Sequence, residues 1–115
     1  MTLREKQSIF VRLVAKLINF AYMQDYELTF GETYRSPEES LRLYNLGRGI
    51  KNSLHTQRLA IDLNLFKSGK YLVSTEDHRL LGEYWESLST NEYECVWGGR
   101  FSDGNHYSIK HGNRR

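Results

Sequence analysis

The apolar residues near the start of the chain recur at helical spacing. Thr2 and Glu5 have the spacing of a capping box, in which two side chains satisfy free backbone N–H groups at a helix start. The following apolar positions lie three or four residues apart, as on one face of a helix: Phe10, Leu13, Val14, Leu17, Ile18 and Ala21. We therefore predict an amphipathic helix from about residue 4 to residue 23.

A later stretch alternates with a period of two, which is typical of a half-buried strand. Its apolar positions are Leu59, Ile61, Leu63 and Leu65, and Ala60, Asp62 and Asn64 lie between them. Successive side chains of a strand point to opposite faces. Asp62 therefore points away from the apolar face, toward water or toward a site.

Two further helices are predicted from their capping residues. Ser36 precedes Pro37 and lies three residues before Glu39, so we expect Ser36 to be the N-cap and Glu39 its capping-box partner. Gly47 and Gly49 then end this short helix. Residues 75–88 begin with acidic side chains and continue with apolar ones at helical spacing, which predicts a third helix.

The remaining segments predict strands and one loop. Residues 26–34 are rich in aromatic and β-branched residues, and the turn "KSGK" joins residues 58–66 to 70–73 as a hairpin. "YECVW" and "HYSIK" are shorter strand candidates, and "GGRFSDGN" between them reads as a loop. Helices mixed with antiparallel hairpins predict an α+β fold, a small single domain over residues 1–115 with about three helices flanking an antiparallel sheet.

Composition narrows the classes of protein that fit this pattern. The single cysteine, Cys95, excludes an intramolecular disulfide, and no apolar run is long enough to cross a bilayer. The first residues are not typical of a secretory signal. Net charge is +2, although the final residues are more basic, with Arg114 and Arg115 at the end. A basic tail can favour a polyanion, but an ordinary solvated terminus is the commoner explanation, so we expect no nucleic-acid partner and no membrane insertion.

Candidate chemistry lies at strand edges and loops. His55 precedes the strand that carries Asp62, and Asp103 and His106 lie on either side of a Gly-Asn turn. Two histidines and one carboxylate are a competent zinc ligand set that leaves a fourth position for water. A second carboxylate nearby could accept the proton of that water. Such residues also occur together by chance in many proteins, so spacing alone is a weak indication.

Two longer motifs strengthen the indication. Residues 53–62, "SLHTQRLAID", resemble the signature S-x-H-x-x-G-x-A-x-D of the zinc D,D-carboxypeptidase and L,D-endopeptidase family, which includes bacteriophage endolysins that cut peptidoglycan stem peptides. Residues 97–107, "WGGRFSDGNHY", are similar to the second signature of that family, W-G-G-x-F-x-D-x-x-H. "YRS" at residues 34–36 matches a third element, an arginine after an early strand.

The resemblance implies a role for each matched residue. His55, Asp62 and His106 would be the ligands of a Zn²⁺ cofactor, and Asp103 would be the general acid and base. Arg35 would hold a substrate carboxylate or the oxyanion. Ser53 would support the metal ligands or contact the substrate. The family fold is a small α+β domain of the kind shared by hedgehog domains and D,D-peptidases, which agrees with the pattern of elements.

One position departs from the family motif. Arg58 lies where the first signature has glycine, a residue that can supply a positive φ. We expect either that the local turn is remodelled or that Arg58 projects into the cleft and adds a charge there. Trp97 likewise has two possible roles, packing beneath the metal loop, which we favour, or lining the groove. His111 is five residues from His106, an odd spacing on a strand that makes it a poor partner for the same metal.

The resemblance implies a zinc metallopeptidase that hydrolyses a peptidoglycan stem peptide as a monomer. We expect cleavage of the L-alanyl-D-glutamate bond, with D-alanyl-D-alanine carboxypeptidase activity as the alternative. A non-catalytic wall-binding module on this fold is a second alternative, and a small nucleic-acid-binding domain is a third. Synthesis in a host cytoplasm, followed by holin-dependent release or packaging in a virion, would fit a chain without a secretory signal.

Overall fold

The computed structural model describes residues 1–50, 53–112 and 114–115. Within these ranges, three α-helices accompany a five-stranded antiparallel sheet, which confirms the predicted α+β class. The helices are α1 (Leu3–Met23), α2 (Pro37–Asn45) and α3 (Arg79–Ser87). The strands are β1 (Glu27–Phe30), β2 (Ala60–Lys67), β3 (Lys70–Leu72), β4 (Cys95–Trp97) and β5 (His106–Ile109).

The strand β2 is the centre of the sheet. Strand β1 pairs with one edge of β2, and the other edge pairs with β5 along its first residues and with β3 along its last. Strand β4 extends the sheet beyond β5. In the β2–β5 register Asp62 lies directly opposite His106. The sheet therefore places two of the candidate side chains next to each other on one face.

The alternation along β2 separates the core from the candidate site. Leu63 and Leu65 are fully buried, and the alternating polar residues Asp62 and Asn64 are only partly buried. The apolar face of α1 packs into the same core, where Phe10 meets Trp85 of α3 edge to face with ring centroids 5.8 Å apart. One face of β2 is therefore occupied by the core, and the Asp62 face is left for other contacts.

The predicted helix starts are present with one difference. Thr2 accepts a hydrogen bond from the Glu5 backbone N–H at 3.1 Å, and the Glu5 carboxylate accepts one from the Thr2 N–H at 3.0 Å, so the capping box is confirmed. Ser36 caps α2 by accepting from the backbone of Glu39 at 3.0 Å. The expected return bond from Glu39 is absent from this described segment, because its carboxylate pairs with Arg42 instead.

Element boundaries differ from the predicted ones where the chain approaches the candidate site. The strand predicted over residues 26–34 ends at Phe30, although Gly31 and Glu32 still exchange backbone hydrogen bonds with Asp62. The predicted third helix begins with a 3₁₀ turn, Glu76–His78, before α3. The loop after β4 starts as another 3₁₀ turn, Gly98–Phe101. Among the described residues, none of the helices is both long enough and apolar enough to cross a membrane.

A glycine in α3 allows the helix to approach β4 closely. A Cβ atom built on Gly82 would lie 2.1 Å from the Trp97 ring, which is fully buried. Gly82→Ala should therefore destabilise the protein by about 1–3 kcal/mol through overpacking, despite the better helix propensity of alanine. Chemical denaturation would measure this loss, with the exposed Glu83→Ala of the same helix as the control. Equal stability of Gly82→Ala and wild type would contradict the close packing.

Candidate metal centre

A short turn holds His55 in place. The 3₁₀ turn Leu54–Gln57 begins at Ser53, whose hydroxyl accepts a hydrogen bond from the His55 backbone at 3.2 Å. The Leu54 side chain is 1% exposed and anchors the turn in the core. The His55 side chain is also buried, so its orientation is fixed by packing. Ser53 thus supports the histidine through its backbone, and it also lines the neighbouring cavity.

The central strands supply the second and third candidate ligands. Asp62 and His106 face each other across the β2–β5 pair, where directly opposed side chains lie on the same face. The segment after β1 pairs with the opposite edge of β2 at Asp62. The Gly31 N–H donates to the Asp62 carbonyl, and the Asp62 N–H donates to the Glu32 carbonyl, both at 2.8 Å. Asp62 is therefore held by backbone hydrogen bonds on one edge and by strand pairing on the other.

The loop that carries Asp103 is shaped by close packing around Trp97 and Gly98. The buried Trp97 donates its ring N–H to the Gly104 carbonyl at 2.7 Å, so this residue packs beneath the loop, as favoured from the sequence. The Asp103 N–H donates to the Gly98 carbonyl at 2.8 Å. A Cβ on Gly98 would lie 2.2 Å from the Asp103 carbonyl oxygen, so only glycine fits there without displacing the loop.

The two predicted histidine ligands both approach one carboxylate oxygen of the third ligand, Asp62. The Asp62 Oδ1 atom lies 3.3 Å from His55 Nε2 and 3.5 Å from His106 Nδ1. A four-coordinate ion with bonds of about 2.0–2.2 Å separates adjacent ligand atoms by about 3.3–3.6 Å. All three candidate ligand atoms lie within 4.8 Å of one another. The spacing therefore suits a single bound metal ion.

The same oxygen lacks a hydrogen-bond donor among the residues that the structure describes. Asp62 Oδ1 is buried, yet neither nearby imidazole nitrogen forms a geometrically acceptable hydrogen bond with it. A buried carboxylate oxygen without a partner is costly unless a cation or proton satisfies it. The His55–Asp62–His106 group could accordingly hold a metal ion, and this fit rests on the arrangement of its donor atoms.

The pKa of Asp62 favours a charged ligand. Burial acts to raise this pKa, but the neighbouring His106 and His55 side chains outweigh burial and lower it to about 2. Asp62 is therefore an anion throughout the range in which a protein metal site operates.

Asp103 lies beside the three-residue group without belonging to it. Its Oδ2 atom is 3.9 Å from His106 Nδ1, and its side chain is 52% exposed. Burial raises the pKa of Asp103; His106 opposes the rise and the Asp62 carboxylate adds to it. A carboxylate with a raised pKa at the edge of a cleft can exchange protons with a bound molecule.

Arg35 lines the same cleft and is already paired with a neighbouring carboxylate. Its Nη2 atom forms an ion pair with Glu32 Oε1 at 2.6 Å, and its side chain is largely buried. The Arg35 backbone N–H donates to the His55 carbonyl at 3.1 Å, which ties the arginine to the metal-site turn. The cleft has a volume of about 970 Å³ and contains His55, Asp62, Asp103 and His106 along with Arg35.

Glu32 is a site residue that sequence reasoning missed. Its Oε1 atom lies 3.5 Å from His55 Nδ1, the ring nitrogen that faces away from Asp62, as well as 2.6 Å from Arg35. A carboxylate behind a ligating histidine fixes the ring orientation and raises its basicity. The only signal in the sequence was an acidic residue three positions before Arg35, which no periodicity distinguishes from a surface residue.

Both expectations for Arg58 are wrong. Its backbone keeps a positive φ of 56°, so the turn is not remodelled for the larger side chain. The guanidinium stacks on the Tyr34 ring at 4.0 Å and lines a separate apolar pocket with Phe10 and Ile61, rather than the metal cleft. Cation–π stacking offsets part of the cost of the left-handed backbone.

The other histidines lie outside the candidate site. His78 is buried, and its Nδ1 atom lies 2.9 Å from the Tyr107 hydroxyl oxygen. His111 Nδ1 lies 3.2 Å from Lys6 Nζ, and His111 is not part of the candidate metal-binding group found among the described residues.

A comparison of the chain with protein-family models gives no match, and a search of curated proteins gives none either.

Removing one candidate ligand tests the metal site directly. His106→Ala should lose most bound metal, because only two protein ligands would remain. Titration with Co²⁺, followed by its visible absorption, would measure binding, and circular dichroism would check the fold. His111→Ala, which removes a histidine outside the group, is the matched control. Wild-type metal affinity in His106→Ala would remove this residue from the site.

Glu32→Gln tests the carboxylate behind His55. The change keeps the size of the side chain but removes the negative charge, so metal affinity should fall by about 10–100-fold. The same Co²⁺ titration would measure it, with Glu27→Gln on the exposed part of β1 as a charge-matched control. An affinity equal to that of the control would show that Glu32 does not support the histidine.

Proposed function

We propose that this protein is a zinc-dependent peptidase that hydrolyses a stem-peptide bond of peptidoglycan. The observation that carries the proposal is the convergence of two histidine nitrogens on one unpartnered oxygen of Asp62, inside a cleft that also contains Asp103 and Arg35. The motifs that resemble the zinc D,D-carboxypeptidase and L,D-endopeptidase family supply these residues in the same order.

The three ligands favour zinc among the divalent metals. Two imidazoles and one carboxylate are a common catalytic zinc set, which leaves one position for water or substrate. Zinc in such a site polarises a carbonyl group and lowers the pKa of water, so that hydrolysis proceeds near neutral pH. The protein contributes a fixed ligand geometry, because each ligand belongs to a turn or strand that is held by backbone hydrogen bonds.

Asp103 is the proposed proton carrier. Its carboxylate lies next to His106 at the cleft, where it can accept a proton from the attacking water and donate it to the leaving amine. The raised pKa of Asp103 makes it a stronger base than an ordinary aspartate. Its partial exposure leaves it accessible to a substrate, whereas the three ligands are more deeply buried.

Arg35 is the proposed anion contact. Glu32 holds one side of its guanidinium, and the rest of the group lies at the cleft, where it can bind a substrate carboxylate or the developing oxyanion. A positioned arginine loses little freedom when it binds, because the ion pair with Glu32 has already ordered it. The role suggested by the resemblance is thus supported by an ordered, cleft-lining position.

The proposed bond is L-alanyl-D-glutamate, since the motifs most resemble those of short endolysins. A D-alanyl-D-alanine carboxypeptidase is the alternative. Incubation of the zinc-loaded protein with purified peptidoglycan, followed by mass spectrometry of the soluble products, separates these functions. New amino-terminal D-glutamate supports the endopeptidase, and release of D-alanine supports the carboxypeptidase. Co-sedimentation without any cleavage would instead support a wall-binding module and overturn the enzymatic proposal.

Asp103→Asn tests the proton carrier with little change of shape. Turnover of peptidoglycan should fall by roughly 10²–10⁴-fold, because the amide cannot carry the proton, while metal content stays at the wild-type level. Turnover and metal content would be measured on the same preparation, with the exposed Glu92→Gln as a charge-matched control. Full activity of Asp103→Asn would assign the proton transfer to another group.

A further inference from the structure

Three arginines of the cleft lack an acidic partner among the described residues. Arg48, Arg114 and Arg115, here called the arginine rim, line the same cavity as the metal-site residues. Arg42, Arg79 and Arg100 elsewhere each form an ion pair with a glutamate. Arg4, Arg12 and Arg58 also form no such pair, but they lie outside this cavity. The unpaired guanidinium groups of the rim are therefore concentrated where a ligand would bind.

The fold directs part of the rim toward the metal site. His111 and Arg114 exchange backbone hydrogen bonds of 3.1 and 3.0 Å, so the chain turns back after β5. The Arg115 guanidinium lies 4.6 Å from the centre of the Phe101 ring, and Phe101 packs edge-on against His106 with ring centroids 6.0 Å apart. Arg115 is thus held one aromatic ring away from a candidate metal ligand.

Arg48 is the third arginine of the rim. Its backbone N–H donates to the Leu43 carbonyl at 2.8 Å, which fixes Arg48 against the end of α2. The adjacent Gly49 lies close to Arg35, since a Cβ built on it would be 3.5 Å from Arg35 Nη1. Arg48 therefore belongs to the same wall of the cleft as the arginine proposed to contact the substrate.

The charges of the cleft favour an anionic ligand. The three arginines of the rim face two aspartates among the lining residues, Asp62 and Asp103, since the charge of Arg35 is already paired with Glu32. A concave surface lined by one sign of charge raises the local concentration of oppositely charged ligands. The charges of the arginine rim play no part in the proposed catalysis.

We propose that the arginine rim is a second anion subsite, which binds a free carboxylate of an acidic peptide away from the bond that is cleaved. This inference rests on the proposed peptidase function and adds the requirement that the substrate carry at least one carboxylate besides the one at Arg35. Guanidinium groups suit this role because they bind carboxylates through two parallel hydrogen bonds. A peptide is favoured over a nucleic acid because the rim arginines line one cavity of about 970 Å³, whereas nucleic-acid-binding surfaces commonly carry a basic stripe along one face.

The test compares two ligands and two pairs of variants in a binding experiment on the metal-free protein, so that cleavage does not interfere. The ligands are a synthetic peptidoglycan stem peptide with free carboxylates and the same peptide with those carboxylates converted to amides. Arg114→Gln with Arg115→Gln should weaken binding of the free-acid peptide by roughly fivefold to twentyfold. Binding of the amide peptide should change by less than about twofold, and added salt should reduce the difference.

Arg4→Gln with Arg12→Gln removes the same charge from the exposed face of α1 and should leave both affinities unchanged. Equal losses for the two peptides, or no loss for either, would overturn the subsite. Loss of DNA retention in the rim variant, with unchanged peptide affinity, would assign the rim to a nucleic acid and would also overturn it. The binding readout separates the two proposals. If the rim variant loses affinity for the free-acid peptide alone, and the metal-loaded wild type does not cleave peptidoglycan, the subsite is supported and the peptidase is refuted. If the rim variant cleaves peptidoglycan as fast as the wild type and binds the free-acid peptide equally well, the peptidase would be supported and the subsite overturned.

Discussion

The register between β2 and β5 is the constraint on which the candidate site depends. It sets Asp62 opposite His106, and a slip of one residue would turn Asp62 to the core face and bring leucine side chains to the cleft. The leucines of β2 are fully buried, so the hydrophobic effect opposes any such slip. Burial on one face of the strand therefore fixes the chemistry on the other.

The backbone on the other edge of β2 adds a second constraint. Gly31 and Glu32 hold Asp62 through two backbone hydrogen bonds, and the Glu32 side chain then reaches both His55 and Arg35. The Glu32 Oε1 atom thus lies next to both His55, a candidate metal ligand, and Arg35, the candidate anion-binding residue. Orientation of the imidazole and of the guanidinium is consequently linked, and a ligand that draws Arg35 away from Glu32 would also alter the environment of His55.

Periodicity and motif spacing predicted the parts of the site that depend on strands. The alternation of residues 59–65 separated Asp62 from the core, and the turn before β5 correctly indicated where His106 begins a strand. Glu32 was missed because its role depends on a long-range approach of two segments, which a local pattern does not record. Arg58 was misjudged for a related reason, since the ring of Tyr34 that accommodates its side chain was not predictable from the motif. The roles of Asp103, Arg35 and Ser53 stay predictions, although all three residues line the cleft.

The wide separation in sequence of the candidate ligands has a consequence for folding. His55, Asp62 and His106 come together only after the two central strands have paired, so an unfolded chain would offer no comparable site. An ion bound there would act as a removable crosslink through the middle of the sheet and would shift the folding equilibrium by mass action. The supply of metal in the surroundings would then set the lifetime of the folded chain as well as its chemistry.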